Sequence, residues 1–338
     1  MIRSLIILLL FEITSLSLLG QVKQHEIELS PFVGRDFILT SGVDYPFTAN
    51  GVHAKHINQS SQNKEWQQYF NLPRTGQELL FAQYSSNGYS VAINTFIEFD
   101  FLKSSKHNVY VSPSLGLAYT SETSITLPEY ELTSLPINAS VKVEFGYRYR
   151  FSENWKMATG YILSHYSNGN TSSPNDGVNM KAWKLGINYS FGDNYSPQYS
   201  TFEKPRYRMF FGQVSIGGGV KNRGGKQYSF VNGFVNAGVS FHPYHRLVAG
   251  LGIFTDKGFS ESLQPNHYGV SVGYQILIGK VGFTFQPGWY LEEYFGATRY
   301  YILGLQYSVK PRLFVQANLR TSQSFFSEDL SIGIGVEF

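Results

Sequence analysis

Near the middle of the chain a histidine and a serine stand two residues apart, in the run Leu163-Ser164-His165-Tyr166-Ser167-Asn168-Gly169. On a β-strand that spacing points both side chains to one face. Strand rise alone separates their Cβ atoms by about 6–7 Å, a gap an imidazole spans with suitable rotamers. The chemistry such a pair offers is acyl-ester hydrolysis, with His165 as general base and Ser167 as nucleophile. Asn168 follows where the strand gives way to a loop and offers an amide to the oxyanion, while Gly169 lets the backbone turn closely there. Trp155, Met157, Thr159, Tyr161 and Leu163 share the face of His165. A base and a hydroxyl on a greasy aromatic face suit a lipid substrate. The pair alone is weak evidence, because a chain with 8 His meets a His-x-Ser by chance.

The elements that must hold the pair are alternating strands. Val141, Val143, Phe145, Tyr147 and Tyr149 oppose Lys142, Glu144, Gly146, Arg148 and Arg150. Trp183, Leu185, Ile187, Tyr189 and Phe191 oppose Lys184, Gly186, Asn188 and Ser190, and the last strand sets Leu330, Ile332, Ile334, Val336 and Phe338 against Ser331, Gly333, Gly335 and Glu337. This split, repeated over segments of about ten residues, predicts an all-β fold, a transmembrane antiparallel outer-membrane β-barrel. A soluble sandwich would carry more charge on its polar faces. Counting from Gln77 gives about fourteen strands, within a range of about twelve to sixteen. Short links such as Ser152–Asn154 alternate with longer ones such as Asn168–Gly177, the arrangement of periplasmic turns and external loops. The irregular connection Asp193–Arg206 could divide two smaller sheets, but a single barrel is the simpler reading.

Composition agrees. The 338 residues include 24 Tyr, 27 Phe and 33 Gly, with charged residues at 15%, and a net charge of +3 is too small to argue for nucleic acid. Residues 1–20 read as a secretory signal, with Arg3 before an apolar stretch. Residues 21–75 read as an N-terminal strand, Glu26–Val33, and a polar segment, and residues 76–338 as the barrel. No later stretch reaches about 18 uninterrupted apolar residues, so no transmembrane helix is expected. The absence of cysteine excludes disulfides, thiolate metal sites and a cysteine nucleophile. His53-x-x-His56 and His242-x-x-His245 have no nearby carboxylate cluster in sequence, so no metal site is expected. Arg148, Arg150, Lys142 and Glu144 are expected to pair inside the barrel.

The run His165-Tyr166-Ser167-Asn168-Gly169-Asn170, followed by Pro174-Asn175-Asp176-Gly177, closely resembles the motif of the lipid A 3-O-deacylase (PagL) family of outer-membrane barrels. The similarity is specific over Tyr161–Trp183. The length more nearly resembles the larger acyloxyacyl hydrolase-like relatives. The resemblance implies a serine esterase that removes an ester-linked acyl chain from lipid A of lipopolysaccharide in the bacterial outer membrane, without a cofactor. By motif position Ser167 is its nucleophile, His165 its base and Asn168, with Gly169, its oxyanion contributor. The family's orienting acid is a Glu, and the matching position here is Asn179. An Asn can hold a histidine tautomer but cannot stabilise the imidazolium with a negative charge. Three outcomes stay open: a slower enzyme, an acid supplied by Asp176, or an inactive relative. The terminal Phe338 resembles the closing aromatic read by the barrel assembly machinery, an implied partner beside lipid A and the membrane. The competing class is a non-enzymatic barrel, a channel or a structural protein, with a surface adhesin a remoter third.

Overall fold

The computed structural model describes residues 22–37, 47–60, 64–85, 88–124, 126, 132–192, 207–223, 226–256, 266–294, 297–322 and 327–338. The expected export signal and the connection 193–206 lie outside them. Among the described residues there are sixteen strands and one short helix, α1 (Glu65–Tyr69). The strands close into two separate antiparallel barrels of eight.

The first barrel comprises β1 (Val22–Asp36), β2 (Thr48–Ser60), β3 (Arg74–Tyr84), β4 (Tyr89–Lys103), β5 (His107–Thr120), β6 (Ile137–Arg150), β7 (Trp155–Ser167) and β8 (Val178–Gly192). It closes where β1 pairs with β8, with Ile27 opposite Tyr189 and Val33 opposite Trp183. The second comprises β9 (Phe210–Arg223), β10 (Lys226–His242), β11 (His245–Asp256), β12 (Asn266–Ile278), β13 (Val281–Tyr294), β14 (Ala297–Lys310), β15 (Leu313–Ser322) and β16 (Ser327–Glu337). It closes where β16 pairs with β9, with Val336 opposite Val214 and Ile334 opposite Ile216.

The outer-membrane barrel class is as expected, and the fourteen strands from β3 onward are those counted from Gln77. The single ring is not: the chain closes twice. Alternation assigns a face to each residue but carries no information about which strand bonds back to which. The polar segment 21–75 also differs from expectation, because its β1 and β2 complete the first barrel. Its alternation was masked because the outward face of β2 carries polar Thr48, Asn50 and His56 opposite inward-facing His53 and Lys55, so neither face is continuously apolar.

The faces are inverted relative to a soluble protein. On β8, Trp183, Leu185 and Ile187 are 64%, 58% and 53% exposed, whereas Lys184 and Asn188 on the other face are buried. Only a surrounding apolar phase makes that burial favourable.

The interior of the first barrel is layered. Toward the ends of β7 and β8 that carry the candidate pair it is apolar, with Phe32, Leu80, Tyr84, Ile162, Tyr166, Val178 and Met180 in one cluster. Below that lies an ionic layer in which Glu26, Glu28, Glu78, Glu98, Glu144 and Asp100 face Lys55, Arg74, Lys142, Arg148, Lys156 and Lys184. Each carboxylate has a cation for it, so the layer is neutral. Arg148 spans Glu98 at 2.6 Å and Glu28 at 2.8 Å. The pairing expected for Arg148, Lys142 and Glu144 is present, and Arg150 is exposed. Eight strands enclose a space that side chains fill, and here they do. The second barrel is lined by amides instead, among them Gln213, Gln275, Gln306 and Gln316, with Arg320 held to Asp329 and Glu328.

Candidate active site

His165 lies on the outward face near the end of β7, and its direct cross-strand partner on β8 is Asn179. Both are half-buried, while Tyr166, Val178 and Met180 beside them point inward and are fully buried. The pair therefore stands on a packed floor, and strands position side chains more rigidly than loops do.

His165 Nδ1 lies 2.6 Å from Asn179 Oδ1. The amide orientation is set by its other end, where Asn179 Nδ2 donates to the Gly177 carbonyl at 3.5 Å. The oxygen therefore faces the ring, Nδ1 carries the proton, and Nε2 is the acceptor. That is the tautomer a general base needs.

Ser167 is the last residue of β7 and is buried. Its Oγ accepts from Asn175 Nδ2 at 2.9 Å, and Asn175 Oδ1 in turn accepts from the Asn168 backbone N–H at 2.9 Å. One amide thus staples the strand end to the following loop. A hydroxyl that accepts from an amide keeps its own O–H as a donor, which is the proton a base must take.

Asn168 Nδ2 donates to Ser134 Oγ at 3.3 Å. Gly169 and Asn170 both adopt positive φ, +65° and +60°, so the chain reverses sharply after Asn168. Gly177 is required twice over. Its φ is +83°, and a Cβ there would lie 2.4 Å from His165 Cε1. Its N–H also donates to the Leu132 carbonyl at 2.7 Å, which ties the β5–β6 connection to the site.

The fold therefore pairs His165 with Asn179, and links Ser167 to Asn168 through Asn175. Asp176 is half-buried in the loop, and the position at Nδ1 is held by Asn179. Asn175 and Ser134 were not singled out as site residues. Asn175 lies inside the Pro174–Gly177 run, but Ser134 is 34 positions from Asn168 and nothing local marks it.

The first His-x-x-His pair does not converge. His53 points inward and bonds Glu78 at 3.0 Å, whereas His56 points outward and bonds His25 at 3.0 Å. His53, Glu78 and Glu144 do bring ligand atoms within 4.8 Å of one another. Lys142 lies 3.1 Å from Glu78 and 3.2 Å from Glu144, and Lys55 is 3.3 Å from Glu144, so ammonium groups already supply the positive charge there. His242 and His245 have ring centroids 5.6 Å apart, and His245 bonds the Tyr274 hydroxyl.

A family model described as lipid A 3-O-deacylase (PagL) matches residues 51–190. A second, described as acyloxyacyl hydrolase, C-terminal domain, matches residues 210–338. No match to a curated protein was found. Among solved structures the chain is similar to Neisserial surface protein A, at 12% identity over 50% of this chain and 97% of that one, with a TM-score of 0.33. It is similar to the outer membrane enzyme PagL at 14% identity, over 48% and 98%, with a TM-score of 0.32. It is similar to the Acinetobacter baumannii outer membrane protein Omp33 at 10% identity, over 95% and 99%, with a TM-score of 0.19.

Proposed function

Because the chain belongs to the lipid A 3-O-deacylase (PagL) and acyloxyacyl hydrolase-like outer-membrane family, we propose that its first barrel is a serine esterase of the outer leaflet. It removes an ester-linked acyl chain from lipid A. The observation that carries this is the 2.6 Å contact that presents the Nε2 of His165 on the outward face two residues before Ser167.

In the proposed reaction Ser167 Oγ attacks the acyl carbonyl and forms a C–O bond as His165 Nε2 takes the hydroxyl proton. The carbonyl electron pair moves to the oxygen, which the amide of Asn168 and the backbone at Gly169 receive. Collapse breaks the bond to the sugar oxygen, and His165 returns its proton to that leaving oxygen. Water, deprotonated by the same imidazole, then releases the fatty acid and restores the serine. Asn179 holds the tautomer throughout and is a positioning residue.

Access is lateral. The site faces the membrane side of the wall, beside Leu163 and Trp183, and the barrel interior beneath it is filled. That filling disfavours a water channel through this barrel. The specific observation favouring a non-enzymatic barrel is the neutral Asn179 itself, which offers the imidazolium no charge.

The test is mass spectrometry of lipid A after incubation with refolded protein, beside Ser167→Ala and His165→Ala. Loss of one acyl mass with the unaltered protein alone is expected. An unchanged profile from all three folded proteins, across several lipid A types, would refute the esterase.

A further inference from the structure

Ionised side chains are scarce on the outward face of the first barrel. Among the described side chains of its eight strands, those facing outward are Arg35 on β1 and Lys181 on β8. The two are direct cross-strand partners. Lys181 is also the partner of Leu163, one outward step from the His165–Asn179 pair. The two cations thus lie about 8–12 Å from His165, counting two residues along a strand and one or two strands across, and about 14–17 Å from Ser167, two residues further on.

This placement is unfavourable unless something answers it. Like charges directly opposite on neighbouring strands repel, and a cation on the membrane face loses hydration as its depth increases. Among the described residues neither makes an ion pair, in contrast to the fully paired cations of the interior. Outward-facing Thr48, the partner of Arg35, and the nearby Asn50 are polar, whereas Trp183 begins the apolar band. That polar-to-apolar change sets Arg35 and Lys181 at headgroup depth, where the available anions are phosphates. A guanidinium and an ammonium side by side suit a tetrahedral oxyanion, one by its planar fork and the other as a point charge.

We infer that Arg35 and Lys181 form the receiving site for a phosphate on the sugar headgroup of the glycolipid substrate. The inference rests on the esterase reading above. Phosphate held there fixes the headgroup beside β1 and β8, so the ester presented to Ser167 is selected by its distance from that phosphate. The same chemistry could come from any anionic headgroup of the leaflet, so the test separates the two sources.

Binding is measured with the Ser167→Ala protein in detergent micelles, through the fluorescence of its tryptophans. The probes are lipid A and the same lipid A stripped of phosphate by phosphatase, with phosphatidylglycerol as competitor. Lipid A is expected to bind about tenfold more tightly than its dephosphorylated form. Arg35→Gln with Lys181→Gln is expected to bring that ratio close to one. The double substitution removes a repulsion, so the barrel remains folded, which the heat-modifiable mobility of refolded barrels on gels reports. Lys181→Glu is a second variant: it would pair with Arg35 in place of the phosphate and abolish the preference as well. A ratio that survives these substitutions, or that is already near one before them, overturns the assignment. Displacement of lipid A by equimolar phosphatidylglycerol overturns it too, in favour of a general headgroup anchor. Failure of the unaltered protein to release fatty acid would refute the esterase while leaving this binding ratio to stand or fall separately.

Discussion

Replacing Asn179 by Asp changes one property of the site and leaves its shape alone. The two side chains are isosteric, so a carboxylate oxygen would occupy the place of Asn179 Oδ1, 2.6 Å from His165 Nδ1. A neutral hydrogen bond of this kind contributes about 1 kcal/mol net, and a charge-assisted one about twice that. The imidazolium forms only as Ser167 loses its proton, so the added stabilisation falls on the transition state rather than on bound substrate. An extra 1–1.5 kcal/mol, on the order of the net worth of one hydrogen bond, corresponds to about a tenfold rise in kcat. The ceiling is set by two unit charges about 4 Å apart at an effective dielectric of about 20, about 4 kcal/mol or roughly a thousandfold. A small offset comes from losing the 3.5 Å contact between Asn179 Nδ2 and the Gly177 carbonyl. Asn179→Ala should move the other way by about tenfold, since the tautomer is no longer held. The assay is the initial rate of fatty-acid release from lipid A in micelles under saturating substrate, on protein shown to be folded by its gel mobility. An Asp variant within twofold of the unaltered protein, or an Ala variant equal to it, would refute the role given to this contact.

Three further outcomes are expected. Asn175→Ala removes the donor to Ser167 Oγ and the acceptor for the Asn168 N–H, and should lower kcat about tenfold with little change in KM, read from full saturation curves. Gly177→Ala should displace the His165 ring and strain a backbone at φ +83°, costing about 1–3 kcal/mol in denaturant unfolding and most of the activity; unchanged activity would show that the ring has another seat. Glu98→Gln leaves Arg148, Arg74 and Lys55 facing a neutral amide in the buried ionic layer, and should lower the unfolding free energy in detergent by about 3–5 kcal/mol.

The membrane barrel class was legible because period-2 alternation is a local property: each residue of β7 or β8 declares its face by its neighbours two positions away. The site was legible to the extent that it is local. His165, Ser167, Asn168 and Asn179 lie within 15 residues and on two strands joined by one loop, so parity alone placed the histidine and the asparagine on one face. Asn175 was inside the same motif but had no assigned partner, because loop geometry does not follow from parity.

What the sequence could not decide is everything that depends on closure. Whether β8 bonds back to β1 or onward to β9 is settled by register and strand tilt around the ring, and alternation is the same in either case. The alternation of β2 was hidden because its outward face carries polar Thr48, Asn50 and His56, while its inward face carries His53 and Lys55, whose partners lie on β3, β4 and β6. The juxtaposition of Arg35 with Lys181 exists only because the ring closes there, joining residues 146 positions apart. A strand's faces are set by its own covalent geometry, whereas its neighbours are chosen by the whole sheet. The residues proposed to react could therefore be read along the chain, and those that surround them could not.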